Sequence, residues 1–532
     1  MSSSAVAAAG PAPLALTAPA VNKWAVAIAV ALGALLEIVD TSIVNVALND
    51  MAIALNATIS ETSWIVSSYA VANVIILPLS AWLGRVFGQK RYFIFSLVGF
   101  IAASVLCGLS TSLPMLIMAR VLQGLMGGGL LAKAQAILFQ TFPREQAAMA
   151  QAFFGIVVIS GPAIGPTLGG FLVTHIGWRW IFFVNVPIGM FAVFMCALAL
   201  PRDPARSARK EGVDWAGIAF LAIGLGSLQT FLEEGNRNDW FESPEIAALG
   251  AGAVVGLVLF VWRELTAEHP AVNLRVLRHR SLWAGSLISV SVGIALYGAL
   301  FSIPIFSRQI MGMDAQQVGN MLLPSALAAG FMMPIAGKLL SGRLDPRLAL
   351  AIGCTVLGLT LFSLTPLTVE TGADDFFWPL LVRGLGMVFM FMPLNMATLG
   401  PIPRGEIAEA SGFFNLTRQL GGSIGVALLS TLLSQRIAFH QAMLSEHLVA
   451  SDPAVVTRLA QLTQLFQGKG MALVDAQHAA LGMLQGTVSQ QAAVMSFGDT
   501  FWLVAICVVA MLPLIFLLGR PPRGAGLGGG AH

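Results

Sequence analysis

Leu35-Leu36-Glu37-Ile38-Val39-Asp40-Thr41-Ser42-Ile43-Val44-Asn45-Val46-Ala47-Leu48 is an apolar stretch that carries two carboxylates. It belongs to a run beginning near Lys23 that is long enough to cross a bilayer as a helix, for which about 20 residues suffice. A spacing of three puts Glu37 and Asp40 on one face of that helix. An Asp at mid-membrane costs roughly 2.5–3.5 kcal/mol on insertion scales, so such residues face a bundle interior or a water-filled cavity and mark ion or proton paths.

The rest of the chain agrees with a membrane setting. Of 532 residues, 57% are hydrophobic and only 10% charged, and the mean hydropathy is +0.81. Apolar runs of membrane-crossing length recur throughout, and the strict alternation of a lipid-spanning β-barrel is absent. The expected fold class is therefore an all-α polytopic membrane protein. A net charge of +3 does not suggest nucleic acid. Cys107, Cys196, Cys354 and Cys507 lie far apart inside apolar runs and read as buried small hydrophobes. The histidines show no metal spacing and there is no Gly-Lys-Ser/Thr phosphate loop, so no metal, cofactor or ATP is expected, and no catalytic cleft. Gly127-Gly128-Gly129 reads as helical.

Fourteen spans are predicted, at about 23–45, 62–83, 91–110, 114–138, 147–173, 178–200, 214–232, 245–263, 283–306, 316–338, 347–366, 377–400, 407–432 and 500–519. With both termini placed in the cytoplasm, only Arg179, Arg237, Arg308, Arg436, Arg458 and Lys469 face outward. Arg120, Lys133, Arg383 and Arg418 lie within spans, and every other Lys and Arg falls on the cytoplasmic side, as positive-inside sorting requires. A weak internal repeat relates spans 1–6 to spans 9–14. Each half has a Gly/basic loop after its second helix (Gly84 to Arg91, Gly337 to Arg343), an Arg near the outer end of its fourth helix (Arg120, Arg383) and a Gly-rich fifth helix. Repeated halves are typical of secondary transporters, with the site between them. The expected division is a disordered tail (1–22), a first six-helix half (23–200), a linker (201–213), two inserted helices (214–263), a linker (264–282), a second six-helix half (283–519) containing a partly helical exterior segment (433–499), and a tail (520–532).

Counting 1.5 Å per residue puts Asp40 roughly 25 Å from Lys23 and Arg120 roughly 9 Å from the outer end of its helix. In a core about 30 Å thick these depths are similar, so Asp40 and Arg120 lie where they can pair. Protonating Asp40 would release the Arg, which makes the pair either a proton-coupled switch or a static ion pair. Glu37 reads as a second proton carrier or a countercharge for a cationic compound, and equally as a hydrated cavity residue. Lys133 reads as snorkelling or facing an inner vestibule. Glu233 and Glu234 read best as a solvated helix end. Trp64, Tyr69, Phe153, Phe301, Met387 and Met392 are candidates for lining a cavity, though each is more often core or lipid-facing.

Four motifs carry a family resemblance: Asp40-Thr41-Ser42-Ile43-Val44-Asn45-Val46-Ala47-Leu48, Arg120-Val121-Leu122-Gln123-Gly124, Gly161-Pro162-Ala163-Ile164-Gly165-Pro166-Thr167-Leu168-Gly169-Gly170, and Trp178-Arg179-Trp180-Ile181-Phe182-Phe183-Val184-Asn185-Val186-Pro187-Ile188-Gly189. Over residues 22–520 the chain resembles the fourteen-helix drug:proton antiporters of the major facilitator superfamily, with a 6+2+6 arrangement. Glu233-Glu234-Gly235-Asn236 and the long outer segment make it most similar to the Emr type, the inner-membrane subunit of Gram-negative tripartite pumps. The resemblance implies proton-coupled multidrug export by alternating access across a bacterial inner membrane. It implies small hydrophobic or amphipathic substrates, protons and the lipid bilayer as partners, with a periplasmic adaptor and an outer-membrane channel. Export of a siderophore, fatty acid or aromatic acid is the alternative on the same fold. Proton coupling falls to Asp40, Glu37 and Arg120. The substrate cavity falls to Asn45, Tyr69, Gln123, Asn415, Arg418 and Glu233. Conformational motifs are Gly88 and Arg91, and Gly161, Pro162, Gly165, Pro166, Gly169 and Gly170, the last group associated with the interface between halves. Where the superfamily loop has its Asp, this chain has Arg85.

Overall fold

The computed structural model describes residues 22–203, 212–342, 344–446, 448–449 and 451–519. The tails expected at 1–22 and 520–532, apart from Asn22, and most of the linker 201–213 lie outside these residues. Among the described residues there is no strand, and fourteen helices are long and apolar enough to cross a membrane. In chain order they are Lys23–Val46, Ile59–Phe87, Gln89–Gly108, Leu113–Thr141, Ala147–His175, Trp180–Ala199, Trp215–Glu234, Pro244–Thr266, Arg280–Gln309, Gln316–Ser341, Pro346–Ser363, Ala373–Leu399, Ile407–Glu446 and Leu473–Leu517, numbered here as spans 1 to 14. Their starts follow local chemistry. Asn22 caps span 1 by accepting from the Trp24 and Ala25 amides, and Asp345 caps span 11 just ahead of Pro346, whose missing N–H is no loss at a first helical position.

The glycines of span 5 seat span 1. A Cβ on Gly161 would lie 2.5 Å from Ile38 and one on Gly169 would lie 2.8 Å from Ile43, while Gly165 abuts Ser42. Close backbone approach of this kind is what small residues permit in lipid. The opposite face of span 5 meets span 10: Thr167 lies at Gly319, and Met333 lies at Gly155. That face is the most extensive contact between the first six spans and the last six. The glycine stripe itself therefore packs within the first six spans, and the residues between the glycines reach the other group.

Span 4 is not one helix. It stops at Gly127 and restarts at Leu130, with Gly129 at φ +102°. The helical reading of Gly127-Gly128-Gly129 is corrected accordingly. The cause is crowding by span 2. Gly128 lies against Asn73 and Ile76, and Gly129 against Ser80, so neither position has room for a Cβ. Gly129→Ala is expected to cost about 1–2 kcal/mol from the left-handed backbone alone, with the Ser80 contact adding to it. A lowered thermal midpoint of the purified protein checks this.

Three further arrangements differ from expectation. Gly88, at φ +95°, starts span 3, and Asp203 from the end of span 6 accepts from the Lys90 and Arg91 amides at 2.9 and 3.1 Å. The acid missing from the loop is thus supplied from elsewhere, while Arg85 pairs with Glu409 of span 13. Span 7 leans across the junction of the two groups. Ser67 of span 2 donates to Glu234 at 2.9 Å, Arg237 donates to Glu234 at 3.0 Å, and Gln229 donates to Ser423 of span 13 at 2.8 Å. Glu234 is buried by these donors and is not a solvated helix end. Finally, the segment 433–499 is more helical than expected: span 13 runs on to Glu446, a helix follows at Pro453–Gly468, and span 14 begins at Leu473. Asp499 of span 14 holds Arg436 and His440 of span 13 at 2.6 and 2.8 Å at the base of this projection.

Candidate functional site

The carboxylates of span 1 sit in different surroundings. Asp40 is fully buried. Its Oδ2 accepts from Arg120 Nη1 at 2.5 Å, and its Oδ1 accepts from Gln123 Nε2 and Asn185 Nδ2, both at 2.9 Å. The pairing that depth allows is present, and it draws in span 6 through Asn185. Arg120 also donates from Nε to the Ile65 carbonyl at 3.0 Å and from Nη1 to Gln123 Oε1 at 2.7 Å, and its guanidinium lies 4.1 Å over the Tyr69 ring. Tyr69 and Gln123, assigned to a substrate cavity from the sequence, are instead buried parts of this cluster. Gln123 is tied to both charges and Tyr69 forms the floor under the guanidinium. A proton on Asp40 would weaken its bond to Arg120 by removing the negative charge that the guanidinium meets.

Glu37 is also buried, and its donors are neutral. Asn73 Nδ2 of span 2 donates to Oε1 at 2.9 Å, and the Leu131 amide donates to Oε2 at 2.8 Å. That amide is free to bond because span 4 has just restarted: the first N–H groups of a helix have no intrahelical acceptor, and an anion is favoured there. The break at Gly128-Gly129 therefore creates the seat for Glu37.

Between the groups lies a second polar cluster. Gln135 of span 4 accepts from Asn415 of span 13 at 2.7 Å and donates to Asn395 of span 12 at 2.9 Å, and Ser411 donates to the Ala132 carbonyl at 2.9 Å. Arg418 donates to Asn415 and lies 5.0 Å over the Phe391 ring. Asn415 and Arg418 thus come together where the two groups meet. Asn45 does not join them; it is exposed and bonds its own helix at Thr41. Glu233 is half-buried and accepts from Gln229 at 2.9 Å. Lys133 neither snorkels nor lines a vestibule: it is buried, with Nζ 4.6 Å from the Tyr92 ring.

Sequence reasoning missed Asn73, Gln135, Asn185 and Asn395. The available signal was the same in each case, a lone amide inside an apolar run. Among the described residues no group of His, Cys, Asp or Glu could hold a metal ion.

A bundle of two six-span groups with buried, bonded charges at their meeting line defines a membrane transporter. The chain belongs to the Major Facilitator Superfamily, whose family model matches residues 30–426. Within it the chain falls with the EmrB type. It is 34% identical over 509 residues, 95% of this chain and 97% of the relative, to the multidrug export protein EmrB of Escherichia coli K12. It is 30% identical over 95% of its length to the fatty acid resistance protein FarB of Neisseria gonorrhoeae, of which 97% is covered. Among solved structures, the proton:xylose symporter XylE superposes over 92% of this chain and 96% of its own, with TM-score 0.56 and 10% identity, a likeness of fold.

Proposed function

We propose that this protein exports small hydrophobic or amphipathic compounds across a bacterial inner membrane in exchange for protons, by rocking its first six spans against its last six. Both termini, and the end of the bundle at Lys23, face the cytoplasm. The single observation that carries the reading is the seat of Glu37. It is a buried carboxylate with one neutral donor on each oxygen, next to a helix break. A proton can join it without displacing an ion pair. Asp40 and Arg120 form the fixed joint of spans 1, 4 and 6. The likeness to EmrB supports multidrug export. The test is uptake into proteoliposomes under an imposed proton gradient, with wild type and Glu37→Gln compared.

The projection between spans 13 and 14 is proposed to receive a periplasmic adaptor that leads to an outer-membrane channel. Its exposed apolar residues, among them Leu465, Leu473, Val474 and Leu481, support an occupied surface. Replacing residues 447–472 by a short Gly/Ser loop is expected to leave gradient-driven uptake in vesicles intact and to remove drug resistance from cells. Resistance that survives the replacement would set the adaptor aside.

A second reading, export of amphipathic acids as the printed name of FarB suggests for that relative, is favoured by one feature. The last six spans bury Arg383 and Arg418 with no carboxylate bonded to either among the described residues.

A further inference from the structure

Arg120 and Arg383 occupy corresponding places in the two halves of the internal repeat, and their surroundings are unlike. Arg120 is met by Asp40, Gln123 and the Ile65 carbonyl. Arg383 of span 12 is only 4% exposed, yet its Nε has no hydrogen-bond partner, and among the described residues no acid pairs with it. A buried guanidinium is tolerated in an apolar setting when an anion and further acceptors meet it. A Met or Leu would pack this site as well without the charge, so packing does not account for Arg383.

Arg383 borders a cavity of about 20 Å³ where span 5 of the first group meets spans 9, 10 and 12 of the second. Its walls are Ile159, Pro162, Leu296, Leu322 and Met387, with one hydroxyl from Ser325. The walls are hydrocarbon, the single charge is positive, and the donor is a planar fork suited to two oxygens at once. The volume admits about one water molecule, so an acid head enters it as the face widens. The apolar remainder of a ligand has to follow the wall, which opens when spans 5 and 10 part, the movement that alternating access demands of this face.

We infer that Arg383 is the anchor of a binding site for the carboxylate of a transported amphipathic acid, placed at the span 5–span 10 face and separate from the Glu37 seat. The site takes the acid head on the guanidinium and the chain on Ile159, Leu296, Leu322 and Met387. It does not take an amide or a quaternary ammonium of the same chain length with comparable strength. This rests on the export reading, and it names the substrate class that reading left open.

The test uses the full-length protein in lipid nanodiscs, titrated calorimetrically with octanoate, octanamide and octyltrimethylammonium, with empty discs subtracted. Wild type is expected to bind octanoate about ten-fold or more tightly than octanamide, the worth of a charge-assisted bond. Arg383→Gln should erase that ratio and Arg383→Lys should keep part of it. Equal affinities of wild type for acid and amide overturn the inference, and this comparison needs no variant to fold. A ratio intact in Arg383→Gln overturns it too, as does displacement of octanoate by chloride at equal concentration, which would make the site one for inorganic anions. Gradient-driven uptake of the same three compounds by wild-type proteoliposomes separates the two levels. If none is driven, the export reading itself fails. If octyltrimethylammonium is driven and octanoate is not preferred in binding, only this inference fails.

Discussion

Asp40→Ala is expected to destabilise the protein by about 3–5 kcal/mol, the usual consequence of removing one partner of a buried ion pair. The carboxylate holds Arg120, Gln123 and Asn185 at once, from spans 4 and 6 onto span 1. Its loss leaves the Arg120 guanidinium, 1% exposed, with the Ile65 carbonyl, Gln123 and the Tyr69 ring as its remaining company. The measurable result is a large drop in thermal midpoint and in yield of monodisperse protein. Asp40→Asn keeps the size and one acceptor oxygen and should fall between. Adding Arg120→Gln to Asp40→Asn should recover part of the loss, because the stranded charge is then gone. Additive losses in the double variant would mean that the two residues act apart, against the geometry.

Glu37→Gln is expected to behave in the opposite way: the fold is kept and the driven cycle is lost. Gln has the volume of Glu, and its amide oxygen can still accept from Asn73 or the Leu131 amide. No ion pair is broken by the change, since both donors to Glu37 are neutral. What disappears is the ionisable group proposed to carry the proton. Uptake driven by a proton gradient should fall to that of protein-free liposomes. Exchange of labelled for unlabelled substrate, which needs no net proton movement, should continue. Loss of exchange together with driven uptake would make Glu37 part of substrate binding or of the conformational change itself.

The count of spans was legible because each is an uninterrupted apolar run bounded by basic or Gly/Pro loops, and lipid leaves a chain few other solutions. The Asp40–Arg120 pair was legible from depth alone, since rise per residue fixes how far along its helix each charge lies. The seat of Glu37 was not. It depends on a backbone amide that becomes free only because Gly129 takes a positive φ against Ser80, a tertiary contact with no one-dimensional trace. The same holds for Tyr69 and Gln123. Their residue types suit a drug cavity, and only the packing of span 2 on span 4 turns them toward Arg120. The span 5 motif was read as a close-packing face at the interface between halves; its glycines seat span 1 while Pro162 and Thr167 between them reach span 10, a division that a stripe of glycines does not disclose. Glu234 was misread because Ser67, which buries it, lies 167 residues away in sequence, while Arg237, three residues on, is equally compatible with a solvated helix end.

If Glu37 exchanges the transported proton and Asp40 does not, proton release on substrate binding has to follow Glu37. The most direct measurement is proton release on substrate addition to detergent-purified protein in weakly buffered solution, in wild type, Glu37→Gln and Asp40→Asn. Wild type and any folded Asp40→Asn are predicted to release protons as substrate binds, and Glu37→Gln to release none. Release from Glu37→Gln equal to that of wild type would contradict the account and return the proton to another acid.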